Sequence, residues 1–131
     1  MRGTRRKGGQ AGTVMGGTEM TDIRIRRLTG TWVVRAGGAV LGETTRALGL
    51  SDGRAPEVVY FPREDLAMAM LEPSATVRPS QTKGAARYFA IQTKSTVIED
   101  AGWSYEEPMA EVEAIGAYVA FDTDKVTVEA L

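Results

Sequence analysis

The sequence predicts a mostly-β protein: a compact single domain of antiparallel hairpins with one or two short helical turns. Short segments in which apolar and polar residues alternate predict strands, and glycine pairs or polar turns separate these segments at close spacing. A chain of 131 residues fits one domain, which buries roughly two-thirds of the surface that its unfolded chain exposes. Hairpins of this kind form a barrel, a sandwich or a tent-like sheet, and the pattern leaves these three arrangements open.

The first half of the chain carries the clearest strand signals. In DIRIRRL, residues 22–28, isoleucine alternates with arginine, which is the two-residue period of a strand with one solvated face. The following TWVVRAGGAVLGETT places Gly37 and Gly38 between two apolar runs. Because glycine accepts the positive φ of a tight turn, this segment predicts a hairpin.

Prolines divide the middle of the chain. Pro56 precedes the apolar run EVVYF, and Pro62 is expected to end it because proline has no N–H for a strand ladder. In the next residues, REDLAMAML, alternating apolar positions favour a strand whereas alanine and methionine favour a helix. We expect a helical turn at residues 63–66, extended chain after it, and a polar loop from residue 73 to residue 84.

The last third of the chain predicts two more hairpins and one helical segment. ARYFAIQ and TVIED, joined by a turn at TKS, indicate a hairpin over residues 86–100. In MAEVEAIG, Val112 and Ile115 have the spacing of one helical face, and Gly116 is expected to end it. AYVAF and VTVEA flank the turn DTDK, so residues 117–130 are expected to form a third hairpin.

The composition excludes several kinds of active site. The chain has no cysteine and no histidine, so disulfides, thiolate metal sites and nucleophiles activated by histidine are ruled out. No run of about 18 apolar residues is present to span a bilayer, and the N-terminus lacks the apolar segment of a secretory signal. We therefore expect a cytoplasmic protein with no membrane partner, no metal site and no cofactor.

The charge distribution separates the N-terminus from the rest of the chain. Residues 1–19 carry a net charge of +3, so the overall charge of −1 leaves −4 for residues 20–131. We expect the first segment to be a mobile, basic, glycine-rich tail and residues 20–131 to be a single domain. A basic arm is typical of nucleic-acid binding. The acidic body gives no reason to expect nucleic acid, so a dispensable tail, or a true start at Met15 or Met20, explains the segment better.

The pair Lys83-Gly84 in SQTKGAARYF is the first candidate for a binding site. It is not a phosphate-binding P-loop, because that loop needs several glycines before the lysine and a hydroxyl residue after it, at the start of a helix. Two interpretations remain. Either Gly84 supplies a positive φ in a turn and Lys83 is solvated, or Lys83 points its ammonium into a pocket mouth beside Tyr88 and holds an anionic group.

Two other segments carry candidate site residues. In FPRED, Arg63 is able to clamp a carboxylate or phosphate while Glu64 and Asp65 hold a hard cation or act as a general base. Alternatively, the segment is only a helix start at which acidic residues are favoured. In GWSYEEP, Trp103 and Tyr105 face one side of an extended chain. They form either a stacking wall for a flat ligand or part of the core.

Five segments taken in order resemble the family of domain of unknown function 427, which is also labelled nucleotidyltransferase-like in places. They span roughly residues 23–129 and are VVYFPRED, LEPS, KGAARYFAI, EDAGWSYEEP and IGAYVAF followed by DKV. The resemblance implies a single mostly-β domain, found in small bacterial and fungal proteins, with no established reaction. Members commonly have Cys-Pro-Tyr before the Lys-Gly pair and a histidine before the last apolar strand. Here those positions are Ser-Gln-Thr, residues 80–82, and Tyr118, so a mechanism that needs the thiol or the histidine is excluded.

Three functions are compatible with these residues. The first, which we predict, is a binding module for a small anionic metabolite, held by Lys83, Arg63 and Arg46 beside Tyr88 and Trp103. The second is a structural or protein-interaction domain without a small ligand. The third, which the nucleotidyltransferase-like label suggests, is an enzyme that uses carboxylates, a lysine and a metal ion. No catalytic residue is assigned.

Overall fold

The computed structural model describes residues 22–53 and 55–131. These residues form ten strands in two antiparallel sheets. In chain order the strands are β1 (Ile23–Arg27), β2 (Trp32–Ala36), β3 (Ala39–Thr44), β4 (Leu48–Asp52), β5 (Val58–Phe61), β6 (Leu71–Ser80), β7 (Gly84–Gln92), β8 (Val97–Tyr105), β9 (Val119–Phe121) and β10 (Thr127–Ala130). The tail expected at residues 1–19 lies outside the described residues.

The two sheets differ in size and pack against each other. The large sheet has seven strands in the order β1-β4-β5-β9-β8-β7-β6, and the small sheet has three in the order β10-β2-β3. One hydrophobic cluster joins Val34 and Leu41 of the small sheet to Phe61 and Phe89 of the large sheet. The small sheet therefore covers one face of the large sheet. Of the three arrangements left open by the sequence, a closed barrel is excluded.

Several local predictions are confirmed. β1 forms as expected, β2 and β3 form the glycine hairpin with Gly37 at φ 60°, and β7 and β8 form the hairpin expected over residues 86–100. β5 ends at Phe61, directly before Pro62, and a 3-10 helix follows at Arg63–Asp65. Each of these features depends on residues that are close together in the chain.

The polar loop expected from residue 73 to residue 84 is wrong. Residues Leu71–Ser80 form β6, which pairs with β7. Because β6 is an outer strand of the large sheet, its free edge needs no N–H donor and tolerates proline. Pro73 and Pro79 therefore lie within a strand.

The third hairpin is also wrong, because β9 and β10 belong to different sheets. β9 lies between β5 and β8 in the large sheet, whereas β10 pairs with β2 in the small sheet. All three residues of β9 are buried, as expected for a central strand that is covered on both faces. The turn DTDK thus carries the chain from one sheet to the other.

The remaining helical segments are short 3-10 helices. Met68–Met70 forms one of them where extended chain was expected. Ala110–Ile115 forms the other and buries its two branched apolar residues, as the helical spacing predicts. The left-handed residue after it is Ala117, with φ 66°, and not Gly116. No helix among the described residues is long and apolar enough to cross a membrane.

The face of the large sheet that points away from the small sheet carries several aromatic side chains. Tyr88, Trp103 and Tyr60 lie in one row across the sheet, with Ala120 of β9 between the last two. Directly paired residues of neighbouring strands share a face, and Tyr105 lies two residues from Trp103 on the same strand. We call this surface the aromatic face. The 3-10 helix that precedes β9 packs on part of it and leaves room for a pocket beside it.

Candidate functional site

A pocket of about 220 Å³ opens on the aromatic face. Its walls are aromatic and aliphatic side chains, and a lysine and a carboxylate also line it. We call it the tyrosine pocket; it is lined by Leu50, Asp52, Ala55, Pro56, Val58, Tyr60, Lys83, Tyr88, Trp103 and Tyr105. Three of the residues that the sequence predicts for a ligand site, Lys83, Tyr88 and Trp103, therefore lie together.

The turn between β6 and β7 places Lys83 at this pocket. Ser80 Oγ accepts hydrogen bonds from the backbone N–H groups of Thr82 and Lys83, at 3.3 and 3.1 Å. The carbonyl of Lys83 accepts a third bond, 3.0 Å long, from the N–H of Met109. Gly84 then begins β7 with φ 111°, so the predicted positive φ is confirmed. The turn is held at both ends.

Lys83 is not the solvated lysine of the first interpretation. Its Nζ donates to Asp52 Oδ2 at 2.7 Å, and its side chain is only 16% exposed. An ammonium group has three N–H donors, so this bond leaves two of them for another acceptor. Asp52 thus fixes the orientation of the Lys83 side chain and leaves two N–H donors of the ammonium group unused.

A second cation contacts Tyr88 on the same face of the sheet. The guanidinium carbon of Arg78 lies 5.0 Å from the centre of the Tyr88 ring, within the range of a cation–π contact. Arg78 pairs with Ala86 across β6 and β7, which places it on the aromatic face. The described charged side chains that line the pocket are therefore Lys83 and Asp52, and Arg78 lies beside the Tyr88 ring.

The aromatic groups of the pocket are held by one another. Trp103 Nε1 donates to the Tyr60 hydroxyl at 3.3 Å, and the ring of Trp103 lies 5.8 Å from that of Tyr88, centre to centre. Burial raises the pKa of Tyr60, and burial likewise raises the pKa of Tyr105, with Tyr88 and Asp52 adding to the effect. Both phenols are therefore protonated at neutral pH and are available as O–H donors.

Arg63 lies on the opposite face of the large sheet. Its Nε donates to the carbonyl of Ala117 at 2.6 Å, and its Nη2 donates to Ser104 Oγ at 2.9 Å and also to Glu106. Ser104 is fully buried and donates in turn to Glu106 at 2.5 Å. Arg63 therefore satisfies a buried hydroxyl and holds the left-handed residue Ala117, and it does not reach the tyrosine pocket.

Arg46, Glu64 and Asp65 lie together, away from the tyrosine pocket. Arg46 forms a salt bridge of 3.2 Å with Asp65, and Thr44 Oγ1 donates to the same carboxylate at 2.7 Å. These bonds, led by the one from Thr44, lower the pKa of Asp65. Glu64 lies 4.0 Å from Arg46. The described residues contain no group of three acidic side chains placed to hold a metal ion.

The structure thus brings part of the predicted site together and separates the rest. Lys83, Tyr88 and Trp103 share one pocket, and Tyr105 joins them on the side that the extended chain predicts. Arg63 and Arg46 bind internal acceptors elsewhere, so the three cations do not form one anion site. A role for either arginine toward a ligand stays a prediction.

Sequence reasoning missed Asp52, Arg78 and Tyr60. Asp52 lies 31 positions from its lysine partner, and Tyr60 is 43 positions from Trp103, so no local pattern links them. For Arg78 a signal did exist, because the alternation of side chains along a strand over residues 71–80 would have placed Arg78 on the aromatic face. The prolines of that segment concealed the strand and with it the alternation.

The fold and the site together define a small β domain of two packed sheets with an aromatic pocket that carries a lysine. The chain belongs to the family described as Domain of unknown function (DUF427), whose model matches residues 24–130. A search of curated proteins found no match. Membership agrees with the resemblance of the five segments and assigns no reaction.

Proposed function

We propose that this protein is a binding module for a small anionic ligand that carries a flat ring, and that the tyrosine pocket is its site. The observation that carries the proposal is the convergence of Lys83 Nζ with Tyr60, Tyr88, Trp103 and Tyr105 on one pocket. Aromatic walls favour a flat apolar body, and a lysine with two unused N–H donors favours an anionic group.

The electrostatics of the pocket support an anion in preference to a neutral ligand. Lys83 and Arg78 are both placed on the aromatic face, and only Asp52 opposes them. The phenol of Tyr105, which burial keeps protonated, supplies a further donor and no negative charge. A carboxylate held by such donors forms charge-assisted hydrogen bonds, which are about twice as strong as neutral ones.

The size of the pocket limits the ligand. Its volume of about 220 Å³ lies below the range of roughly 300 to 1,000 Å³ that is usual for drug-sized ligands. One ring with one acidic substituent is therefore the ligand class that fits, and phenylacetate is a simple probe of it.

The experiment measures phenylacetate binding by calorimetry in the wild type, in Lys83→Ala and in Lys94→Ala. Lys94 is an exposed lysine in the β7–β8 turn and serves as the matched control, because both variants lose the same charge. Since a hydrogen bond to a charged group contributes about 1.5 to 3 kcal/mol, Lys83→Ala should weaken binding roughly tenfold or more, and Lys94→Ala should not.

Two results would count against the proposal. Equal affinity in wild type and Lys83→Ala would remove the lysine from the site. Absence of binding to phenylacetate and to a wider set of aromatic acids at millimolar concentration would favour the protein-interaction alternative. The enzyme alternative has a separate test, because a nucleotide with Mg²⁺ or Mn²⁺ should raise the melting temperature only if the folded protein binds it.

A further inference from the structure

A second and larger cavity, of about 560 Å³, lies next to the tyrosine pocket and shares the walls Ala55, Pro56, Val58 and Trp103 with it. This volume is within the range usual for small-molecule sites. We call it the tryptophan cleft, after Trp32 and Trp103, which are the two tryptophans of the chain. Its other apolar walls are Val58, Val59, Phe121 and Val128.

The cleft exists because neighbouring strands separate there. β5 and β9 share only two residue pairs, at Phe61 and Tyr60 of β5, so Val58 and Val59 have no partner on β9. Directly after β9 the chain turns at Asp122 and crosses to the small sheet. The cleft lies at this gap, and its lining includes Trp103 from the aromatic face and Trp32 from the small sheet.

Both indole N–H groups are already used within the protein. Trp32 Nε1 donates to the carbonyl of Thr29 at 3.2 Å, and Trp103 Nε1 donates to the hydroxyl of Tyr60 at 3.3 Å. The two rings are therefore held in place, and what they can offer a ligand is their π faces. The face of an indole ring attracts a cation more strongly than that of any other side chain.

The charged side chains described at the cleft are all acidic. The described side chains that line the cleft include two carboxylates, Glu57 and Asp122, and no basic group. The negative charge of Glu57 is balanced by a salt bridge, because Arg26 binds both carboxylate oxygens at 2.7 and 2.9 Å. The two carboxylates are therefore not equivalent.

Asp122 keeps its negative charge uncompensated. Its Oδ1 accepts one hydrogen bond, 2.9 Å long, from the N–H of Asp124, and it forms no salt bridge with a basic side chain of the described residues. Lys125, three residues on, points its Nζ to the carbonyl of Glu99 at 2.8 Å. A free carboxylate beside two fixed indole rings is the chemistry that selects an organic cation.

We propose that the tryptophan cleft binds a small organic amine whose cationic group lies at Asp122 and whose apolar body lies between Trp32 and Trp103. This site is distinct from the anion site at Lys83, although the two share the walls Ala55, Pro56, Val58 and Trp103. The ligand class is set by the uncompensated carboxylate and the ring faces, and a neutral or anionic analogue of the same shape should bind less tightly.

The experiment compares three probes of one shape and different charge: phenethylamine, 2-phenylethanol and phenylacetate. Each is titrated into ¹⁵N-labelled protein, and the indole signal of Trp32, which lines the cleft and not the tyrosine pocket, reports on the site. Phenethylamine should bind there about fivefold or more tightly than 2-phenylethanol, which corresponds to about 1 kcal/mol for the contact between its ammonium group and Asp122.

Asp122→Asn and Asp124→Asn form a matched pair of variants, since both remove one negative charge from the same turn. Asp122→Asn should reduce phenethylamine binding to the level of 2-phenylethanol, whereas Asp124→Asn should leave it within about twofold of the wild type. Three outcomes would overturn the proposal: phenylacetate binding most tightly at Trp32, equal phenethylamine affinity in wild type and Asp122→Asn, or no shift of the Trp32 signal at millimolar amine. None of these depends on whether Lys83 binds phenylacetate.

Discussion

Asp52 Oδ2 lies 2.7 Å from Lys83 Nζ. Asp52 ends β4 and Lys83 directly precedes β7, and these two strands are separated by four strand-to-strand spacings in the large sheet. In a flat sheet with strands about 4.8 Å apart, four steps alone correspond to about 19 Å. The residues also lie toward opposite ends of their strands. The large sheet therefore curves so that these two corners meet above the tyrosine pocket, in the sense expected from the right-handed twist of sheets.

The first prediction separates Lys83 from its neighbour. Gly84→Ala should lower the free energy of unfolding by about 2 kcal/mol or more, because a left-handed residue with a Cβ is strained. In addition, the new Cβ would lie 2.9 Å from the carbonyl oxygen of Glu107. Lys83→Ala should cost less, about 1 kcal/mol, because its partner Asp52 is 42% exposed and regains water. Urea denaturation of both variants tests this, and equal losses would contradict it.

The second prediction concerns Asp52. Because its carboxylate opposes an anion at Lys83, Asp52→Asn should strengthen phenylacetate binding by about two- to fivefold at low salt, and added salt should reduce the gain. Its side chain is 42% exposed, so the variant should fold normally. Calorimetry in two salt concentrations measures the effect. Weaker binding in Asp52→Asn would mean that the carboxylate mainly positions the lysine.

The third prediction compares two arginines. Arg63→Ala leaves the buried hydroxyl of Ser104 and the carbonyl of Ala117 without their donor, so it should destabilise the protein by about 2 to 3 kcal/mol. Arg46→Ala removes an arginine that is 51% exposed and should cost less than about 1 kcal/mol. Thermal and urea unfolding provide the values. Similar losses in both variants would show that Arg63 is no more important to the fold than a surface arginine.

The fourth prediction follows from the buried phenols. Burial raises the pKa of Tyr60 in the folded protein, so the folded state keeps a proton that the unfolded state loses above the ordinary tyrosine pKa of about 10. This part of the stability is fully present below that pH and is lost as the pH rises beyond it. The melting temperature should therefore fall above about pH 10, and less steeply in Tyr60→Phe. Parallel profiles in both proteins would exclude Tyr60 as the cause.

Local features of the fold were accessible from the sequence because their causes are local. Gly37 specifies its hairpin by its backbone freedom, and Pro62 ends β5 by lacking a donor. In the same way, the alternation of Trp103 and Tyr105 was sufficient to place both rings on one side.

What the sequence did not reveal depends on which strands become neighbours. VTVEA has a strand pattern whether it pairs with AYVAF or, as it does, with β2, since alternation describes a face and not a partner. The same limit applies to the site. The structure places Lys83 and Arg63 apart because the two residues lie on opposite faces of one sheet. Asp52 reaches Lys83 across four strand positions of that sheet, which no local pattern predicts.

Pro73 and Pro79 also affect how one copy of the protein meets another. β6 is an outer strand of ten residues, and a long free edge of that kind can template strand addition by a second chain. At two positions β6 has no N–H to offer an incoming strand, so a continuous ladder along this edge is interrupted. The prolines that concealed β6 in the sequence therefore also protect it against edge-to-edge association, and replacing both should increase the tendency to form fibrils.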